Sequence, residues 1–178
     1  MARYVMVVDT TKCVECYACR VACQMQNKLP PDKTYNKMDV RESGKFPKVK
    51  AHSYPLQCQH CDNPPCEHVC PTHATYKRPD GVVLVDPKKC IGCKYCMTAC
   101  PYQARVMGED QVAEKCRLCV ELLEKGEKPA CESTCMCGVR TSGDLDDPKS
   151  PVHALLANKK VTQLRPDHGT HPRLYYIV

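Results

Sequence analysis

The bulkiest apolar side chains, tryptophan and phenylalanine, are nearly missing from this sequence. It has no tryptophan and one phenylalanine in 178 residues. The apolar fraction of 43% is inflated by 17 cysteines and 9 tyrosines. A core so poor in bulk is hard to stabilise at this size, and tight metal ligation is the usual remedy. Bound metal groups are therefore expected to form the core, with the apo chain largely unfolded. No run of about 18 consecutive apolar residues occurs, so no direct membrane span is expected. The stretch before Cys13, Met1 to Asp9, is too short for a signal peptide and reads as a short strand rich in Val and Tyr. No export signal of the chain's own is expected. A basic run or helix-length basic face is also lacking, which argues against a nucleic-acid partner. No nucleophile–base set, phosphate-cradling glycine loop or open metal site occurs. No catalytic residue is expected, and no chemistry beyond redox.

What is present is cysteine in an unusual order. Sixteen of the seventeen fall into four groups of four: Cys13, Cys16, Cys19, Cys23; Cys58, Cys61, Cys66, Cys70; Cys90, Cys93, Cys96, Cys100; and Cys116, Cys119, Cys131, Cys135. A disulfide framework fits poorly with an odd count and repeated C-x-x-C-x-x-C runs. Structural zinc fits poorly too, because zinc sites pair two C-x-x-C units across a longer spacer. Cys90 to Pro101 is instead the bacterial ferredoxin run C-x2-C-x2-C-x3-C-P without a departure. Three close thiolates wrap one cubane. The fourth, about one helical turn on, reaches a neighbouring cluster. Four sets of four predict four 4Fe-4S clusters held by iron–cysteine bonds, an arrangement suited to electron transfer.

The order of the groups sets the expected architecture. The fold class is α+β with little regular secondary structure: two pseudo-symmetric bacterial-ferredoxin-like dicluster units, one inserted in the other. The second and third groups, with an Asp80-Gly81 hairpin turn between them, make one unit over residues 51–107. The first and fourth groups pair across that insertion as a second unit, residues 1–30 plus 108–150. Residues 31–50 read as a polar connector. Residues 151–178 read as a docking tail with a short helix near Val152–Asn158 and an extended remainder.

Each fourth cysteine is then assigned to the partner cluster. Cluster 1 takes Cys13, Cys16, Cys19 and Cys135; cluster 2 takes Cys23, Cys116, Cys119 and Cys131. Cluster 3 takes Cys58, Cys61, Cys66 and Cys100; cluster 4 takes Cys70, Cys90, Cys93 and Cys96. Cys137 is left over and could exchange roles with Cys135. The x3 step from Cys131 favours Cys135.

Other residues near the groups carry weaker signals. His60, His68 and His73 flank the second group, but four cysteines already stand there, so a structural role is expected. Arg20, Lys94, Lys115 and Arg117 adjoin ligands. A cation so placed raises a cluster's potential, whereas a solvated charge does nothing. Tyr17, Tyr95 and Tyr102 are expected to pack against clusters. The formal charge of +6 changes meaning with clusters bound. Each oxidised cubane with four thiolates carries about −2, bringing the loaded chain to about −2.

Taken together, these stretches resemble a known family: the four-cluster iron–sulfur subunits of molybdopterin oxidoreductases, most closely those of polysulfide and thiosulfate reductases. The resemblance rests on Gln57 to Cys66, Val69 to Thr72, Val85 to Cys90, Lys125 to Cys131, Gly143 to Pro148 and Leu164 to Thr170, and covers nearly the whole chain. The family usually shows Cys-Pro where this chain has Cys135-Met136. The resemblance implies a subunit of anaerobic respiration that relays electrons. Its partners would be a molybdopterin catalytic subunit, with Mo or W, that reduces a sulfur compound or similar acceptor, and an integral membrane quinone-binding subunit. It further implies membrane association through those partners, on the periplasmic face, with export on the catalytic subunit's signal. The competing reading is a soluble polyferredoxin-like carrier for a cytoplasmic hydrogenase or formate dehydrogenase.

Overall fold

The structure, a computed structural model, describes residues 2–178. Its regular elements are short and lie between the cysteine groups. Strand β1 (Tyr4–Asp9) opens the chain and a 3-10 turn follows it. Helix α1 (Ala18–Gln26) comes next, then strands β2 (Lys37–Lys45) and β3 (Lys48–Leu56). Helix α2 (Pro65–His68) precedes the hairpin β4 (Thr75–Lys77) and β5 (Val83–Val85). Helix α3 (Tyr95–Thr98) precedes the hairpin β6 (Arg105–Met107) and β7 (Ala113–Lys115). Helices α4 (Val120–Leu123) and α5 (Ala130–Ser133) lead to strand β8 (Arg140–Asp144) and helix α6 (Pro151–Asn158). Strands β9 (Val161–Thr162) and β10 (Leu174–Ile177) close the chain.

The main sheet has the order β8-β1-β10-β9. Strand β1 runs antiparallel to β8 and parallel to β10. Its residues are buried on both faces, which explains a continuous Val-Met-Val-Val run rather than an alternating one. Val5 and Val7 pack with Val152 of α6 and Ile177. Met6 and Val8, on the other face, pack with Val82, Leu118, Val139, Leu174 and Tyr176, and against Cys131. One face of the sheet is thus closed by a helix and the other by the cysteine-bearing body.

Two stretches outside the cysteine groups take on definite structure. Residues 31–50, read as a connector, contain β2 and the start of β3, which form a nine-pair hairpin arm with an exposed tip. Residues 151–178, read as a docking tail, begin with the expected helix. They end in β10, a central strand with Tyr176 fully buried. The pairing partner of β10 is at the other end of the sequence, which local patterning cannot reveal.

The Asp80-Gly81 turn joins β4 to β5 as expected. Gly81 has φ +84°, and a Cβ there would lie 1.6 Å from the Arg173 guanidinium. Arg173 is held in place by Asp62, at 2.6 Å, and by the Asp80 carbonyl, at 2.9 Å. Partial burial opposes ionisation of Asp62, but Arg173 and Lys77 hold its carboxyl below the ordinary value.

Candidate functional site

Each cysteine group begins with the same backbone turn. The third residue of every opening C-x-x-C is in the left-handed region: Glu15 at φ 56°, His60 at 44°, Gly92 at 69° and Leu118 at 55°. Such a residue curls the backbone so that its two flanking thiols face one point. For non-glycine residues this costs about 1–3 kcal/mol and persists where the surroundings demand it. Only Gly92 announces the conformation in the sequence.

The groups end in a second repeated turn. The amide N–H of His73 donates to the Cys70 carbonyl, that of Gln103 to Cys100, and that of Gly138 to Cys135, at 3.1–3.2 Å. All three donors have positive φ. Cys137 thus occupies the place of Thr72 and Tyr102 in the other two turns. The Cys135 Sγ also accepts the Val139 N–H at 3.3 Å.

These turns bring the thiols together across the sequence. Cys13, Cys16, Cys19 and Cys135, with Cys137, line one cavity. Cys23, Cys116, Cys119 and Cys131 line a second. Cys58, Cys61, Cys66 and Cys100 line a third. Around Cys96, burial pushes the thiol pKa up, Arg105 opposes, and Cys90, Cys70 and Cys93 add to the rise.

The sets also share packed clusters in series. Cys131 belongs to the core cluster against which Cys13, Cys19 and Cys135 pack. Cys23 and Cys116 pack with Cys58. Cys66 packs with Cys90 and Cys96.

The chemistry of these donors fits an iron–sulfur group. Burial, then Cys131 and Cys119, pushes the Cys23 thiol up to about 12. Burial and Cys58 push Cys61 up to about 12 as well. Four crowded thiols cannot all ionise unless positive charge sits among them, as iron provides. Among the described residues no three His, Cys, Asp or Glu converge tightly enough for a single ion. The thiols instead ring a volume. Backbone N–H groups already point at sulfur in three of the sets: Leu118 to Cys116 at 3.4 Å, and Thr75 to Cys70 and Ala113 to Cys90 at 3.5 Å, besides Val139. Such donors stabilise thiolate ligands.

Residues 49–145 match the 4Fe-4S dicluster domain family. Over 98% of its length, the sequence is 42% identical to the B subunit of tetrathionate reductase from Salmonella typhimurium, covering 72% of that protein. It is 38% identical to the B subunit of polysulfide reductase from Wolinella succinogenes, over 98% of this sequence and 94% of that protein. It is likewise 38% identical to the B subunit of selenate reductase from Mesobacillus selenatarsenatis, over 98% of this sequence and 72% of that protein. This protein belongs to the 4Fe-4S dicluster family of reductase B subunits. A B subunit of this kind transfers electrons through 4Fe-4S clusters and has no catalytic site of its own.

Several site features of this iron–sulfur protein are not legible in its sequence. Tyr35 and Asn36 wall the second cavity and Met38 walls the first, although all three lie in the expected connector. Two arginines that follow the motifs, Arg105 after Cys100 and Arg140 after Cys135, are buried against thiols. Of the four cations singled out by their position beside ligands, Lys115 alone is buried, while Lys94 and Arg117 are exposed. His60 is fully buried and accepts the Val83 N–H on Nδ1, a structural contact. His68 pairs with Asn63. Tyr17 lines the first cavity and Tyr102 the third, whereas Tyr95 is 62% exposed. No helix among the described residues is long and apolar enough to cross a membrane.

Proposed function

We propose that this iron–sulfur subunit carries four 4Fe-4S clusters in a row and relays electrons between a membrane quinone-reactive subunit and a molybdopterin catalytic subunit. Cluster 1 is held by Cys13, Cys16, Cys19 and Cys135, and cluster 2 by Cys23, Cys116, Cys119 and Cys131. Cluster 3 is held by Cys58, Cys61, Cys66 and Cys100, and cluster 4 by Cys70, Cys90, Cys93 and Cys96. Residues 1–30 with 108–150 form one ferredoxin-like unit, and residues 51–107 form the unit inserted in it.

The observation that carries this reading is the pooling of thiols from distant groups into common sets, in the pairing that the ferredoxin run requires. The packing clusters that the thiols share support the order 1–2–3–4 for those sets. When bound, the clusters supply one-electron redox chemistry. The protein's own residues hold them close and wall them off from water, so that each is a short step from the next.

The two end sets each reach the surface. Cys16 and Cys93 are exposed. Around Cys16 stand exposed Val14, Tyr17 and Met136, and around Cys93 exposed Ile91 and Tyr95. Apolar rims at both ends suit docking to two different proteins. The relatives named as B subunits of reductases support assembly with other subunits of a reductase. Membrane association on the periplasmic face, through those partners, completes the proposal. Purification of the tagged protein from native membranes tests it. Retention of a large pterin protein and an integral membrane protein is expected; recovery of a stable lone monomer would contradict it.

A further inference from the structure

Four cationic side chains are buried in this protein: Arg140, Lys115, Arg105 and Arg173. Arg173 is neutralised by Asp62. Among the described residues, the other three make no ion pair with a carboxylate, although they are only 2%, 3% and 4% exposed. A buried charge without an anion is costly enough that folds avoid it. Their surroundings name the anion.

Arg140 lies between the first two thiol sets. Its Nη2 is 3.9 Å from the Cys19 Sγ and its Nη1 is 3.6 Å from the Met6 Sδ, and the Cys131 thiol lies within reach of its charge. It is aimed there by Asn36, which accepts from Nη2 at 2.8 Å, and by Gln57, which accepts from Nη1. Arg105 lies between the last two sets, with Cys66 and Cys96 as its neighbours. Both of its Nη atoms are buried with no hydrogen-bond partner, and it lines the Cys58 cavity. Lys115 lies at the middle step. It donates to the Cys116 carbonyl at 3.0 Å and lines the same Cys58 cavity.

We infer that each step between neighbouring cluster sites carries one buried monocation, shared by the two sites it separates, and that these three side chains hold the reduction potentials of both neighbours up. This rests on the four-cluster proposal. The physical reason is that reduction adds negative charge, which a cation in a low-dielectric site stabilises. A cation placed between two sites acts on both, so it raises the pair together and keeps one site from becoming a deep trap beside the other.

The test is a redox titration, followed by electron paramagnetic resonance, of the loaded subunit in its isolated complex. Arg105→Gln is expected to lower two of the four midpoints, each by at least about 59 mV, a tenfold change in a one-electron reduction constant. Arg140→Gln should lower the other two, and Lys115→Gln one from each pair. Unchanged midpoints in the loaded Gln variants, or the same two midpoints moving in both arginine variants, would overturn the inference while leaving the cluster assignment intact. If the Gln variants fail to load, the charge-retaining variants decide. Arg105→Lys and Arg140→Lys should load and keep near-native midpoints; failure of these to load would assign the arginines to shape rather than charge. Absence of iron and sulfide from the unaltered protein would instead strike the cluster proposal itself.

Discussion

At the scale of single residues, the spare thiol is the sharpest case. Spacing favours Cys135 over Cys137 as a ligand, and the repeated turn supplies a physical reason. A ligand opens that turn, with a left-handed residue three positions on. Cys137 is the turn's third residue. Cys135→Ser is therefore expected to abolish or alter one cluster signal in electron paramagnetic resonance, and Cys137→Ser to leave all signals in place. The reverse pattern would reassign the ligand. Gly81 supports a second residue-level prediction. Its positive φ and its contact with the anchored Arg173 leave no room for a methyl group. Gly81→Ala should destabilise the loaded protein by roughly 1–3 kcal/mol, read as a fall in thermal midpoint. The buried arginines mark the limit of reading single residues. Nothing in Arg105 or Arg140 as letters distinguishes them from solvated surface cations.

At the scale of elements, legibility follows the range of the interactions. The Val-rich β1, the Asp80-Gly81 hairpin and the helix at Pro151–Asn158 each carry a local signal, and each is present. The β2–β3 arm carries only a weak one: the alternating runs Lys37-Met38-Asp39-Val40-Arg41 and Lys48-Val49-Lys50-Ala51 are short, and the strands are mostly exposed. Strand β10 reads as tail because four residues, Leu-Tyr-Tyr-Ile, gain their meaning from a parallel neighbour more than 160 positions away. The C-terminal residues complete the main sheet. Truncation after Arg173 removes β10 with its buried Tyr176 and Ile177. It should prevent recovery of soluble, cluster-loaded protein rather than merely weaken partner binding. A loaded, soluble truncation that fails only to assemble would instead favour the docking-tail reading.

At the scale of the whole molecule, the shortage of bulky apolar residues and the surplus of cysteine are one fact. The conventional core is a thin layer around β1, and the remaining interior is lined by thiols. Thiols pushed up to about 12 by burial and by one another repel if ionised, so metal binding and folding are coupled. Chelating the iron under reducing conditions should collapse the far-ultraviolet dichroism to that of a largely unfolded polypeptide; a protein that keeps its structure would show that the clusters are guests in a self-sufficient fold. The expected count of sites comes from cysteine arithmetic. The packing of thiols from distant groups and the burial of Arg105 and Arg140 beside them are not legible there, because they arise from tertiary structure.

The central claim is that one polypeptide holds four cubane clusters. Iron and acid-labile sulfide, measured on the anaerobically purified protein, test it most directly. The account predicts about sixteen of each per polypeptide; about eight of each, or zinc without sulfide, would contradict it.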